Sequence, residues 1–282
     1  MHTKSLTEGE LDEIYAFAVQ LGKDAGKLLL DAAQSRFNGE NTQEVVEKDS
    51  SVDIVTKTDE DVEAFIKTSI HQQYPDHAFI GEETYSQGTS RAYLISNTTP
   101  TWCVDPLDGT VNYTHLVPMF CVSIAFIVHG QPAIGVICAP LLSQLFTSCR
   151  GRGAWLNETQ RLPLVRCPVP PMPVDAPRGA TLDLAYTAMG AFDIWWEGGC
   201  WEWDVAAGIA ILQEAGGLVT TANPPKDPAT ARIEDVGLGS RLYLAIRPAG
   251  PSTTESGREG QERTVREVWR RVRELDYTRP AA

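Results

Sequence analysis

Between residues 102 and 115 the chain reads WCVDPLDGTVNYTH, and two carboxylates, Asp105 and Asp108, stand three residues apart across a proline. Trp102, Cys103 and Val104 lead in with strand character. Pro106 has no N–H to give a ladder, so the strand is expected to stop there. The chain then turns with both carboxylates on one side. Hard oxygen ligands in such a cluster suit Mg²⁺, which takes a few carboxylates and completes its shell with water and phosphate oxygens. Gly109 lets backbone come close to an anion, and the N–H groups after it can receive phosphate oxygens. Taken alone, the run reads equally well as an acidic surface turn, because Asp-Pro and Asp-Gly are both common turn pairs.

Other acids stand at comparable places. Phe79-Ile80 ends a short strand and delivers Gly81-Glu82-Glu83 to the same sheet edge as Asp105. Asp204 opens VAAGIAILQEAGG, a buried helix with a glycine stop, and taken alone it reads as that helix's cap. Residues 52–59 alternate as a strand ending in Asp59, which also begins a helical pattern. Four acidic sites, each where an element ends, match the way α/β folds assemble a site from separate segments.

Three motifs, GEE (81–83), VDPLDGTVNY (104–113) and WDVAAG (203–208), together resemble the inositol monophosphatase family of Mg²⁺-dependent, lithium-sensitive sugar-phosphate phosphatases, over about residues 11–247. The resemblance implies an α/β fold of alternating helix and sheet layers, an αβαβα sandwich in two closely joined halves with the metals between them. It implies that Glu82, Asp105, the Leu107 carbonyl, Asp108 and Asp204 hold Mg²⁺, with Glu83 helping through water. Thr110, paired with Asp59, would orient and activate the attacking water, and Gly109 and Thr110 would donate N–H groups to the phosphate. Glu197 stands seven residues before Asp204, as does the family's ring-hydroxyl ligand. Asp193 stands where the family often carries an acid near the inositol pocket, and Ala180 lies in a matching substrate-side segment, 179–181. The implied reaction is hydrolysis of myo-inositol 1-phosphate by metal-activated water. A related polyol phosphate, histidinol phosphate or a quinate-pathway ester are the alternative substrates, and an impaired homologue with a binding role is the alternative function. The family also implies a homodimer.

The bulk properties agree. With 282 residues, 43% of them hydrophobic, the chain can bury one large core or two fused half-cores. A net charge of −13 argues against a nucleic-acid groove or a polybasic membrane patch. It does not oppose an anionic substrate, because bound cations dominate the local charge in such sites. Six scattered cysteines without a CxxC pair read as reduced thiols, and the N-terminus has no apolar core of a signal peptide, so a cytoplasmic protein is expected.

Thr7 with Glu10 forms a capping box, and Leu11, Ile14, Ala18, Leu21, Ala25, Leu28 and Ala32 recur on one helical face. A second helix is expected over 60–74, a hairpin over 120–149 turning at HGQP, another strand over 143–149, and a last core strand over 241–247. The expected organisation is one domain over 1–248, with halves at about 1–162 and 179–248, followed by a solvated linker at 249–260 and a C-terminal helix. Val265, Val268, Trp269, Val272 and Leu275 give that helix its apolar face. One stretch departs from the family pattern. Residues 162–177, LPLVRCPVPPMPVDAP, hold six prolines where relatives place a strand, a helix and a strand. So short a segment cannot make a helical crossover between parallel strands. The second half is therefore expected to lack part of its sheet, with 163–177 a mobile loop and the chain only marginally stable.

Overall fold

The computed structural model describes residues 6–39, 45–50, 53–88, 92–173, 175 and 179–279. In the first half, α1 (Glu8–Phe37) precedes the hairpin of β1 (Val45–Ser50) and β2 (Asp53–Thr56), and α2 (Lys57–Gln73) follows directly. Then come β3 (Ala78–Gly81), a short α3 (Glu82–Ser86), β4 (Thr101–Asp108), a short α4 (Thr110–Thr114), β5 (Cys121–Val128), β6 (Gln131–Ala139), β7 (Gln144–Cys149), β8 (Gly153–Leu156) and β9 (Gln160–Arg161). The second half holds α5 (Ala180–Met189), β10 (Ile194–Gly198), α6 (Glu202–Glu214), β11 (Leu218–Thr220), β12 (Leu242–Ile246) and α7 (Gly257–Trp269). Among the described residues no helix is long and apolar enough to cross a membrane.

Strands β3 to β9 form one seven-stranded sheet in chain order, antiparallel except for the parallel pair β3–β4. The hairpin turn falls at His129-Gly130, where both residues have positive φ (54° and 72°), the backbone that a two-residue turn between twisted strands requires. Alternate residues of the sheet face two different cores. Trp102, Val104, Ile124, Phe126 and Val136 pack under α1 and α2, while Cys103, Ala125, Ile127 and Ile137 pack under α5 and α6. The second sheet, ordered β10-β12-β11, covers the far side of α5 and α6 with Trp195, Val219, Tyr243 and Ala245. Its outer face, with Leu244 and Ile246, is covered by Val265, Val268 and Trp269 of α7. The layers therefore run helix, sheet, helix, sheet, helix.

The middle helix layer lies very close to its neighbours because its contacts are made by small residues. A Cβ on Gly135 of β6 would collide with the Ala207 carbonyl of α6, and one on Gly208 would come within 2.6 Å of the Leu184 Cβ of α5. Backbone thus meets sheet with no side chain between them.

Several elements differ in detail from the sequence reading. The apolar stripe of α1 drifts, so that Leu29 and Ala33 are buried while Leu28 is 41% exposed. The positions chosen from sequence repeat every 3.5 residues, whereas an α-helix turns every 3.6 and slips about 20° per heptad. Helix α2 starts at Lys57, so Asp59 is its third residue and closes a capping box with Thr56. Helix α7 starts at Gly257, inside the expected linker, capped by Ser256 and Glu259. It ends at Trp269, and Leu275 lies beyond it in an extended tail, where the Asn223 side chain bonds both its N–H and its carbonyl at 2.8 Å.

The second sheet has three strands, joined by an isolated parallel bridge from Asp175 to Ile194. The described part of the proline-rich stretch is extended, as its composition requires, but it is not loose. The N–H groups of Leu164 and Val165 donate to the Met189 carbonyl, and Gly250 N donates to the Arg166 carbonyl. Arg247, 1% exposed, ties the rest down. Its Nε donates to Asp193 at 2.7 Å, its Nη1 to the carbonyls of Cys167 and Pro248, and its Nη2 to that of Pro168. Val169 is buried with the α7 core.

Candidate active site

The parallel pairing sets Gly81 level with Val104, so Glu82 and Asp105 emerge together at the end of the sheet. Strand β4 does not stop at Pro106. Asp105 pairs with Ser123 and Asp108 with Cys121, three steps on one strand against two on the other, so Pro106 sits in a bulge. The bulge is what brings the two carboxylates to one side. Residues three apart on a regular strand face opposite sides, and one extra residue returns Asp108 to the side of Asp105. Gly109 then turns with φ 83°, where a Cβ would stand 2.7 Å from the Met119 carbonyl, and it caps α4.

A cavity of about 640 Å³ opens at this edge. Glu82, Asp105, Leu107, Asp108 and Asp204 all line it. So do Gly109, Thr110, Ala180 and Glu197. Asp204, in the first turn of α6, accepts the Trp201 N–H at 2.7 Å, so it is both a cap and a cavity wall. Asp105 accepts the Leu107 N–H at 3.0 Å. The Thr110 hydroxyl is within reach of Asp59 Oδ1 (3.2 Å) and the Leu107 carbonyl (3.0 Å), and Asp59 itself is buried, held by the N–H and hydroxyl of Thr56.

Two expected site residues stand elsewhere. Glu83 is buried and does not line the cavity. Asp193, expected near the substrate, is turned away into the ion pair with Arg247. An arginine buried among carbonyls needs a counter-charge, and Asp193 supplies it. Residues the sequence reading passed over include Glu63, which accepts the N–H groups of Glu83 and Thr84 at 2.8 Å and so holds the turn that presents Glu82. A Cβ on Gly81 would collide with that carboxylate, which accounts for the glycine of GEE. Asp183 is buried with one carboxylate oxygen lacking a partner. Arg241 and Tyr277 also line the cavity.

The electrostatics are those of crowded acids. Burial, followed by the charges of Glu82, Asp108 and Asp204, holds the Asp105 carboxyl well above its ordinary range. Burial and the charges of Glu82 and Asp108 do the same for Asp204. Asp108 is pushed up to about 7 by burial and by Glu82 and Glu197, and Asp183 to about 8 by burial and the same Glu197. Burial raises Asp59 to about 6. Among the described residues no three acidic, histidine or cysteine side chains converge tightly enough to grip an ion as they stand. The donor set nevertheless fits a divalent cation of the Mg²⁺ type. Four carboxylates and a carbonyl, all hard oxygens, share one cavity with room for the waters such an ion retains.

Carboxyls whose pKa rises on folding bind protons more tightly when folded. The folded state is therefore favoured in acid and loses that advantage as pH climbs from the ordinary carboxylate range through about 7 to 8. In chelator, the melting temperature is expected to fall over that window, and at its alkaline end added Mg²⁺ should raise it. A melting temperature flat across the window, with no Mg²⁺ response, would contradict this account.

Comparison with known proteins decides the family. The model of the inositol monophosphatase family matches residues 10–176 and 171–273, two pieces that meet inside the proline-rich stretch. The chain belongs to the inositol monophosphatase family. It is 62% identical to Quinic acid degradation cluster protein x of Neurospora crassa, covering all of both chains. It is 58% identical to Protein qutG of Emericella nidulans, with 98% of each covered. The first alignment runs over 343 positions against 282 residues here, so that family member carries segments this chain lacks. Among solved structures of the family fold, the extragenic suppressor protein suhB of Bartonella henselae matches with a TM-score of 0.68 at 26% identity, covering 92% of this chain and 99% of its own. Membership in the family implies phosphatase chemistry.

Proposed function

We propose that the chain is a Mg²⁺-dependent phosphomonoesterase acting on a ring-polyol monophosphate. The observation that carries this reading is the meeting of Glu82, Asp105, Asp108 and Asp204, from three separate segments, in one cavity beside Gly109 and Thr110. A divalent cation there supplies a more acidic water and draws charge from the phosphate. The residues do the rest. Thr110 can accept a hydrogen bond from the attacking water while its own proton leans on Asp59, which at a pKa of about 6 stays ionised at neutral pH. The left-handed turn at Gly109 frees the following N–H groups toward an anion. Glu197, held by the Trp195 indole N–H at 3.1 Å, presents a carboxylate to a ring hydroxyl.

Inositol 1-phosphate fits this description. The similarity to two quinate-cluster proteins equally supports a phosphorylated quinate-type ring. Phosphate release from a panel of such esters, with Mg²⁺ and with excess chelator, tests the proposal. Turnover is expected only with Mg²⁺, and lithium should inhibit it. Undiminished hydrolysis in chelator would reject the metal-dependent mechanism, and no hydrolysis of any ester would reject the phosphatase reading.

A further inference from the structure

The cavity has a second, cationic corner that the hydrolysis above does not use. Among the described residues, Arg241 is the cation that lines it. The pairing of β10 with β12 sets Gly198 level with Leu242, so Arg241 comes level with Gly199, two residues from Glu197. The Gly199 N–H donates to the Arg241 carbonyl at 2.7 Å, and Nη2 of Arg241 donates back to the Gly199 carbonyl at 2.5 Å. The guanidinium lies 3.8 Å from the ring centre of Trp201. Its Nε is buried without a hydrogen-bond partner, and among the described residues no carboxylate lies within ion-pair distance of it. The neighbouring Arg279, by contrast, is paired with Glu202. Arg241 also has φ 59°, a left-handed backbone that a long side chain adopts only where its surroundings hold it, and such positions cluster at binding sites.

The same corner is closed by the extended tail. Leu275 is fixed by Asn223, and Tyr277 lies against Gly198 and Gly199, where a Cβ on Gly198 would come within 2.7 Å of its ring. Arg279 anchors the tail's end over Tyr93 and Trp201 and bonds the Tyr85 hydroxyl at 3.2 Å. Tyr277 therefore walls the cavity beside Arg241, on the side where Glu197 meets the substrate ring.

We propose that the substrate carries a carboxylate in addition to its phosphate, and that Arg241 receives it, with Tyr277 closing that side. A ring polyol bearing only hydroxyls would leave a partly desolvated guanidinium with no directly paired carboxylate, only the more distant charges of Asp204 and Glu202, and in a cavity this acidic a second anionic group would be expelled unless a cation met it. Arginine is the suited residue, being always charged, planar and already stacked on an indole. The inference deepens the phosphatase reading and rests on it for the phosphate end only.

A matched pair of probes isolates the carboxylate: shikimate 3-phosphate and its methyl carboxylate ester, which differ in one charge. With the full-length Mg²⁺-loaded protein, kcat/KM is expected to favour the free acid by at least about tenfold, mainly through KM. In Arg241→Gln that ratio should collapse toward unity, and Arg241→Lys should restore part of it. Equal kcat/KM for the two probes in the unsubstituted protein would overturn the proposal. So would an equal loss on both in Arg241→Gln, which would place the arginine on the phosphate instead. If Arg241→Gln fails to fold, judged by its melting curve, the unsubstituted protein and Arg241→Lys decide. A calorimetric arm separates this inference from the hydrolysis reading. Shikimate should bind more tightly than its methyl ester in the presence of inorganic phosphate and Mg²⁺, whether or not either phosphate ester is turned over. Equal binding there overturns the carboxylate proposal, while absent turnover overturns only the phosphatase.

Discussion

Asp105→Asn and Asp204→Asn are each expected to lower kcat by at least about 10³-fold, because on the proposed mechanism each removes a charged metal ligand from a site whose chemistry is almost wholly electrostatic. The fold should survive both changes. The oxygen of an asparagine can still accept the Leu107 N–H at position 105 and the Trp201 N–H at position 204. Each substitution also removes one of several like charges that folding presses together, so the metal-free melting temperature should stay level or rise. Phosphate release at saturating Mg²⁺, beside melting curves in chelator, separates the two effects. Retained turnover, or lost turnover accompanied by unfolding, would show that these carboxylates are not the site's charged core.

Arg247→Ala is expected to destabilise the protein by about 3–5 kcal/mol, the usual cost of breaking a buried pair by removing one partner. The change takes the guanidinium from the Asp193 carboxylate and the donor from the carbonyls of Cys167, Pro168 and Pro248 together. For a chain of this length that amounts to a fall in melting temperature on the order of 10 °C. Lysine should rescue little, because one ammonium cannot reach four acceptors spread around a planar fork. Denaturant midpoints of the three proteins would measure it. A loss below about 1 kcal/mol, the level of an ordinary surface ion pair, would mean the proline-rich stretch is held by something else. The same arginine changes what the shortened segment means. Sequence composition pointed to a loose replacement for missing strands, whereas the described part of the segment is tied down by backbone bonds, by Val169 and, most heavily, by this one side chain.

How much was legible depended on whether a feature is local in the chain. That Glu82, Asp105, Asp108 and Asp204 reach one cavity could be read because each lies in a motif whose period and punctuation are written in the adjoining residues. The bulge at Pro106 was misread as a stop because a proline forbids one ladder bond but not the strand beyond it, and only the partner strand fixes which outcome holds. Asp193 was misassigned because its partner lies 54 residues away. Nothing near Arg247 in the sequence marks it as buried, and a carboxylate's role is set by what faces it. Glu63 and Arg241 were missed for the same reason: each acts through a contact across separate segments, Glu63 on the backbone after Gly81 and Arg241 on Gly199 and Trp201.

The carboxylates of the cavity come from opposite sides of a thin joint. Glu82, Asp105 and Asp108 ride on the large sheet, whereas Asp204 rides on α6, and the gap between the two is gauged by the contact of Gly135 with Ala207. A single methyl at Gly135 or Gly208 would act as a shim, lifting the helix from the sheet or from α5 and spreading the acids by tenths of an ångström. An ion of the Mg²⁺ type tolerates little such spread in its ligand distances. On the proposed Mg²⁺ reading, thickness, set well behind the chemistry by residues without charge, tunes this site, and ion selectivity should drift with it before the fold gives way.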